Sequence, residues 1–268
     1  MKDFQNVKLR DVEISYRDTG PSTSTSALVF LHAFPLNQTM WDEQVAAFST
    51  EHRVVTLDWR GFGGSTLGER PSRMDVFADD LKGLLSLLGI DTPSICGLSM
   101  GGYALLAALR KFPSIASRVV FADTRAAADT AEGKENRMKM ADKVRESGSA
   151  SLAEDLLVKL LGKTTRATSP DTVARIRALI ERASPEAIAH ALLGMAERED
   201  STDFLSSVHC PTLVIVGSED DLTPPDESKK LSALIEGSQL EIIEGAGHLS
   251  NLEKPAEFND VLRRFLSK

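Results

Sequence analysis

Ser94-Ile95-Cys96-Gly97-Leu98-Ser99-Met100-Gly101-Gly102 is the stretch that decides how the chain is read. A short apolar run suited to a buried strand leads into G-x-S-x-G, and then into Tyr103-Ala104-Leu105-Leu106-Ala107-Ala108-Leu109, which has the make-up of a packed helix. A turn this sharp needs glycines beside the serine, where a β-carbon would collide, and it lifts the Ser99 hydroxyl clear of the sheet. Ser99 also falls at a helix N-terminus, which favours negative charge developing nearby. The motif alone arises by chance in roughly one chain in ten of this length, given glycine and serine each near ~7% of residues. Its strand-turn-helix setting is what gives it weight.

Working outward, short aliphatic runs alternate with longer segments of helical periodicity. The pattern predicts strands at Val12–Arg17, Ala27–Leu31, Arg53–Leu57, Ser94–Gly97, Arg118–Ala122, Thr212–Gly217 and Gln239–Ile243, with Gln5–Leu9 as a first edge strand. Helices are expected at Met40–Ser49, Asp75–Leu88, Met100–Lys111, Asp226–Leu234 and Pro255–Leu266. Several strands are apolar throughout, as strands buried on both faces should be. The fold class is therefore α/β, a doubly wound, mostly parallel sheet.

The alternation stops after Phe121-Ala122-Asp123 and resumes at Pro211-Thr212-Leu213. Residues 133–147, 151–161, 170–183 and 185–199 read as four amphipathic helices, the last two opened by Ser169-Pro170 and Ser184-Pro185, a capping serine with proline in the first turn. Residues 1–123 and 209–268 then form the core, and 124–208 an all-helical insert. Such an insert most simply caps the carboxyl edge of the sheet, where ligands bind. Leu156, Leu157, Leu160, Leu192 and Met195 recur at helical spacing, and a minority of them should face a substrate.

Composition narrows the partners. The 268 residues are 42% hydrophobic and 26% charged, the balance of a soluble globular protein. Thirty-one basic and thirty-nine acidic residues leave a net charge of −8, which repels a phosphate backbone and argues against nucleic acid. The longest strictly apolar run, Tyr103 to Leu109, is too short to cross a bilayer, and the first residues do not resemble a secretory signal, so the expected location is cytoplasmic. Cys96 and Cys210 read as reduced core residues, making neither a disulfide framework nor a zinc site. Gly162-Lys163-Thr164 lacks the earlier glycine of a phosphate loop, and Gly61-Phe62-Gly63 lacks the third glycine of a dinucleotide fingerprint. No cofactor and no metal are implied.

A serine hydroxyl needs a base within hydrogen-bond reach and a third group to orient that base. His52, His190 and His209 have ordinary structural explanations, whereas His248 stands in the Gly-rich loop Glu244-Gly245-Ala246-Gly247-His248, just after the last strand. The acid belongs after Leu213-Val214-Ile215-Val216-Gly217, where Glu219, Asp220 and Asp221 compete and spacing does not choose among them. The order along the chain is serine, acid, histidine.

With these segments in view, the chain resembles the α/β-hydrolase fold superfamily over essentially its whole length, in the capped branch of carboxylesterases and 3-oxoadipate enol-lactonases. The matching segments are Phe30-Leu31-His32-Ala33-Phe34-Pro35, with Ala33 where glycine is commoner, Asp58-Trp59-Arg60-Gly61-Phe62-Gly63-Gly64-Ser65, the serine turn, and Gly217-Ser218-Glu219-Asp220-Asp221-Leu222-Thr223-Pro224 with Gly247-His248. The resemblance implies catalytic Ser99, Asp220 and His248. It also implies an oxyanion hole from the Phe34 and Met100 amides, with His32 as a buttress of that loop. The implied activity is cofactor-independent hydrolysis of small to medium acyl esters through an acyl-enzyme. Enol-lactone hydrolysis, perhydrolysis or carbon–carbon cleavage, and a non-catalytic ligand-binding role are the alternatives. A dianionic lactone product would want basic residues, for which Arg125, Lys134 and Arg137 are candidates. The expected partner is a small ester or lactone, and the sequence leaves the oligomeric state open.

Overall fold

The five strands Ala27–Leu31 (β3), Arg53–Leu57 (β4), Ser94–Leu98 (β5), Arg118–Ala122 (β6) and Thr212–Gly217 (β7) are buried almost end to end. Uniformly apolar strands need cover on both faces, and a parallel sheet with helical crossovers provides it. In the computed structural model, which describes residues 4–21 and 27–268, Gln5–Leu9 (β1), Val12–Thr19 (β2) and Gln239–Ile243 (β8) complete an eight-stranded sheet of order β1-β2-β4-β3-β5-β6-β7-β8. β2 runs antiparallel to β1 and β4, and every other pairing is parallel. The α/β fold and each predicted strand are present, β2 running two residues longer and β5 one residue longer than expected.

The helices are Asp42–Phe48 (α1), Met74–Leu87 (α2), Met100–Lys111 (α3), Ala131–Ser147 (α4), Ala153–Leu160 (α5), Lys163–Thr168 (α6), Pro170–Arg182 (α7), Pro185–Ala196 (α8), Pro225–Ala233 (α9), Ser250–Glu253 (α10) and Pro255–Leu266 (α11). α2 packs on α3, and α1 on α11. The helix expected from Met40 begins as a 3-10 turn at Gln38–Trp41, because Asn37 accepts the Thr39 N–H and starts the turn early. Between the sheet and its helices, Phe30 stacks on Trp41 and Trp59 on Phe77, each with centroids 4.7 Å apart. All four rings are fully buried, and each contributes roughly 1.5–3 kcal/mol by leaving water.

The residues between β6 and β7 are helical, as expected, but they hold five α-helices instead of four. The missed one is α6, a six-residue helix in the stretch around Gly162-Lys163-Thr164. It was hidden because Lys163-Thr164-Thr165-Arg166 has no apolar stripe. Ser184 caps α8 by accepting the Ala187 N–H. Ser169 makes no side-chain cap, since its backbone closes α6 by donating to Thr165 O. The insert touches loops at the carboxyl ends of the parallel strands: Arg175 donates to Thr39 O at 2.9 Å, and Thr164 to Glu219. Its two legs are joined where Ser201 N–H donates to Ala126 O, and Ala128 N–H to Asp200. Among the described residues no helix is long and apolar enough to cross a membrane, and no cluster of metal-ligating side chains occurs. Cys96 is fully buried, whereas Cys210 is only half-buried, because it lies in the exposed exit before β7.

Asp129 anchors the insert. Its buried carboxylate is shared by Arg125, Arg137 of α4 and Arg198 beyond α8. Burial pushes this carboxyl up, but the hydrogen bonds and charges of Arg137 and Arg198 outweigh it and hold the pKa at about 2. Because the folded value lies below the usual 3.8, the carboxylate stabilises the fold above that pH, and the contribution is lost as pH falls toward 2. Asp129→Asn should cost about 2 kcal/mol or more near neutrality. In denaturant titrations across pH, the gap between wild type and variant should close between pH 4 and 2, and a gap independent of pH would contradict the assignment.

Candidate active site

Ser99 sits at the join of β5 and α3 with φ 53° and ψ −112°, a left-handed conformation that side-chain-bearing residues avoid. The turn is possible because its neighbours are glycines: a β-carbon on Gly101 would lie 2.2 Å from Leu31 O, and one on Gly97 2.5 Å from Gly101 O. That closeness brings the start of α3 against the end of β3, whose continuation is His32-Ala33-Phe34. Ser99 N–H donates to Ala122 O, and the Thr124 hydroxyl donates to Ser99 O, each at 2.9 Å.

The loops after β7 and β8 converge on this serine. Ser99 Oγ lies 2.7 Å from His248 Nε2, and His248 Nδ1 lies 2.8 Å from Asp220 Oδ2. Asp220 also accepts the N–H groups of Leu222 and Thr223 at 2.9 Å and the Thr223 hydroxyl at 2.7 Å. The three carboxylates that spacing left open have separate surroundings. Glu219 accepts from Thr164 of the insert, Asp221 is exposed, and Asp220 alone reaches the imidazole.

Burial works against ionising Asp220, but His248 and Thr223 overcome it and its pKa falls below the ordinary value. Burial likewise opposes an imidazolium at His248, yet the Asp220 carboxylate, aided by Asp123 and Glu253, moves that pKa upward. His32 behaves oppositely. Fully buried, it is lowered to about 4, accepting the Trp59 N–H on Nε2 and leaving Nδ1 to donate to Ala33 O. It is a neutral support for the loop carrying Phe34, as the sequence suggested. Phe34 and Met100 are both buried.

Sequence reasoning passed over two groups here. Thr223 bonds Asp220 and lies 3.2 Å from His248 Nδ1. Asp123, fully buried, accepts Gly217 N–H at 2.9 Å and the Ser250 hydroxyl at 2.5 Å, so it ties the acid loop to the histidine loop. The available signal was a carboxylate placed directly after the apolar run Val119-Val120-Phe121-Ala122. A separate cleft of about 520 Å³ opens between α3 and the end of α8, with Tyr103, Arg110, Arg125 and Arg198 in its wall; Ser99 is not part of its lining. Of the basic residues considered for a dianion, Arg125 and Arg137 are engaged by Asp129, and Lys134 is exposed.

A hydroxyl at a helix N-terminus, hydrogen-bonded to an imidazole that a buried carboxylate orients, is suited to nucleophilic attack on a carbonyl. The family model described as alpha/beta hydrolase fold matches residues 26–255. The chain belongs to the alpha/beta hydrolase fold family. Among its relatives, 3-oxoadipate enol-lactonase 2 of Acinetobacter baylyi is 31% identical over 260 residues, 96% of this chain and 95% of that protein. A thermophilic esterase from Thermogutta terrifontis superposes with a TM-score of 0.94 at 39% identity, covering 98% of each chain. The enol-lactonase from Burkholderia xenovorans LB400 gives 0.92 at 27%, covering 98% of this chain and all of the other.

The opposed environments of the two buried histidines give a direct check by NMR titration. His248 should titrate above the usual imidazole value of 6.5, Asp220→Asn should bring that midpoint down, and His32 should stay neutral until about pH 4. A His248 midpoint unmoved by Asp220→Asn would show that the carboxylate does not govern the imidazole.

Proposed function

We propose that the protein is a cofactor-independent serine hydrolase that cleaves small to medium carboxylic esters. The observation that carries this reading is the unbroken hydrogen-bond chain from Ser99 Oγ through His248 to Asp220. Ser99 attacks the ester carbonyl while His248 Nε2 takes its proton. Asp220 holds the other ring nitrogen protonated and stabilises the imidazolium that forms. The Phe34 and Met100 amides donate to the oxyanion. His248 then returns the proton to the departing alcohol, and water discharges the acyl-enzyme by the same steps in reverse.

The enol-lactonase relatives favour a second reading with the same chemistry, in which the ester is cyclic. Arg125 and Arg137 are held by Asp129, so a dianionic product would have to compete with that carboxylate for them. This arrangement supports open-chain esters over a dianionic lactone, and kcat/KM measured on both classes decides between them.

Ser99→Ala should leave the fold intact and remove about 10⁴-fold or more of the esterase rate, and a serine-directed organophosphate should label Ser99 alone. Asp220→Asn should lower kcat by orders of magnitude while Asp221→Asn, at an exposed site, changes it little. Near-normal turnover in Ser99→Ala would end the proposal.

The insert, read as a cap, is the proposed selector of acyl group, since Ser99, Asp220 and His248 all lie outside residues 124–208. Leu156, Leu157, Leu160, Leu192 and Met195 are all buried. Those that face the acyl chain should shift length preference through kcat/KM when enlarged or reduced, each methylene being worth about 1–3 kcal/mol. A p-nitrophenyl ester series on wild type and these variants reads this out. A length profile that no substitution moves, or best activity on long-chain emulsified lipid, would count against the cap as selector.

A further inference from the structure

Four consecutive backbone N–H groups around the imidazole, from Gly247 to Ser250, donate to three different parts of the protein. Gly247 and Leu249 donate to Glu253 Oε1 at 3.0 and 3.1 Å. Ser250 donates to Asp123 at 3.2 Å. His248 itself donates to the carbonyl of Leu160, at the end of α5 in the insert, at 3.1 Å. The second oxygen of Glu253 accepts Gly162 N–H at 2.9 Å, and the Thr165 hydroxyl also bonds this carboxylate. One partly buried side chain thus joins the histidine loop to the α5–α6 turn. On the opposite flank, Glu219 accepts Thr164 N–H at 2.8 Å and its hydroxyl at 2.7 Å, one residue before Asp220.

The two backbones meet with no space for side chains. A β-carbon on Gly247 would lie 2.1 Å from Gly162 N, and one on Gly162 would lie 2.9 Å from Gly247 N and 2.7 Å from Glu219 Oε2. Gly162 has φ −59°, which any residue adopts, so closeness alone requires glycine there. The insert contributes no reacting atom, yet it supplies an acceptor, Leu160 O, to the loop that carries the base, and two donors, Gly162 N–H and the Thr165 hydroxyl, to the Glu253 carboxylate that holds that loop. A carboxylate can serve both sides because it has two acceptor oxygens. A glutamine has one, and its NH₂ would face an N–H donor on whichever side it turned. A buried donor left without a partner is costly, and a displacement of about 1 Å in a catalytic group lowers rate by about 10²-fold.

Resting on the reading of Ser99, His248 and Asp220 as the catalytic set, we propose that Glu253 is a positioning residue that couples the seating of the α5–α6 turn to the placement of the His248 imidazole. The insert then governs turnover through this junction as well as governing which acyl group enters.

The test compares Glu253→Gln, Gly162→Ala and the double variant with wild type on p-nitrophenyl butyrate, at a temperature where circular dichroism finds each fully folded. Each single variant should lose about 10- to 100-fold in kcat with KM little changed. Organophosphate labelling of Ser99 should slow by the same factor, because that reaction also needs the base. The double variant should be scarcely worse than the poorer single one, since both break one junction. Val158→Ala, on the exposed face of α5, should keep the wild-type kcat. Should Glu253→Gln not fold, Gly162→Ala carries the test alone, since its readouts do not depend on the other variant. Variants that lower only the melting temperature, or whose kcat losses multiply in the double variant, would overturn the inference and leave a structural staple. Wild-type protein that neither turns over the ester nor takes the label on Ser99 would overturn the hydrolase reading and this inference with it.

Discussion

The backbone at Ser99 is the constraint on which the rest of the site depends. A non-glycine residue in the left-handed region costs roughly 1–3 kcal/mol, and persists only where its surroundings over-determine it. Here β6 does so from the side: Ala122 O accepts the Ser99 N–H, and Thr124, two residues further on, donates to the Ser99 carbonyl. The parallel sheet supplies the remaining rigidity. Because β5, β6, β7 and β8 run the same way and lie side by side, their carboxyl ends deliver residues 99, 123, 220 and 248 to one place from positions far apart in the chain.

Bringing two carboxyl groups close to one buried imidazole creates an electrostatic conflict, and the surroundings resolve it by treating the two acids differently. Asp220 receives two backbone N–H groups, a hydroxyl and the ring N–H, and is stabilised as the anion. Asp123 is enclosed completely, and burial together with the neighbouring Asp220 charge pushes its pKa well upward. Asp220 thus orients His248, while Asp123, its pKa raised by burial, accepts Gly217 N–H and the Ser250 hydroxyl and ties the two loops together. This is the usual way that paired acids are given separate roles.

Much of this arrangement was legible in the residues. Uniformly apolar strands and the glycines around Ser99 announced the sheet and the serine turn, because burial on two faces and steric closeness leave direct marks on composition. His248 stood out in its Gly-rich loop after the last strand. The acid was harder, since spacing does not separate Glu219, Asp220 and Asp221; the family resemblance of Gly217–Pro224 pointed to Asp220, and in the folded loop it is Asp220 that reaches His248. α6 escaped because Lys163–Thr168 is held by bonds to Glu219 and Glu253 instead of an apolar stripe, and periodicity is blind to that. Asp123, Thr223 and Glu253 act through contacts with residues that are distant in the chain or grouped only by a turn, so the sequence marks their positions at most, as with the carboxylate after Val119–Ala122, and not their partners.

The legs of the helical insert leave from β6 and return to β7, which are neighbours in the sheet, and they are hydrogen-bonded to each other at Ala126 and Ser201 before the helices begin. An insertion whose ends lie side by side does not interrupt the strand order or stretch any connection, whatever its length. The sheet and the helical unit can accordingly diverge at different rates. Its polar ties to the sheet unit run to Thr39, Glu219, the His248 N–H and Glu253, and its buried apolar residues share one core with the sheet, so a replacement segment must match those contacts while its exposed faces are free to vary. A segment joined at one such seam can change in length or helix number without altering the strand order beside it.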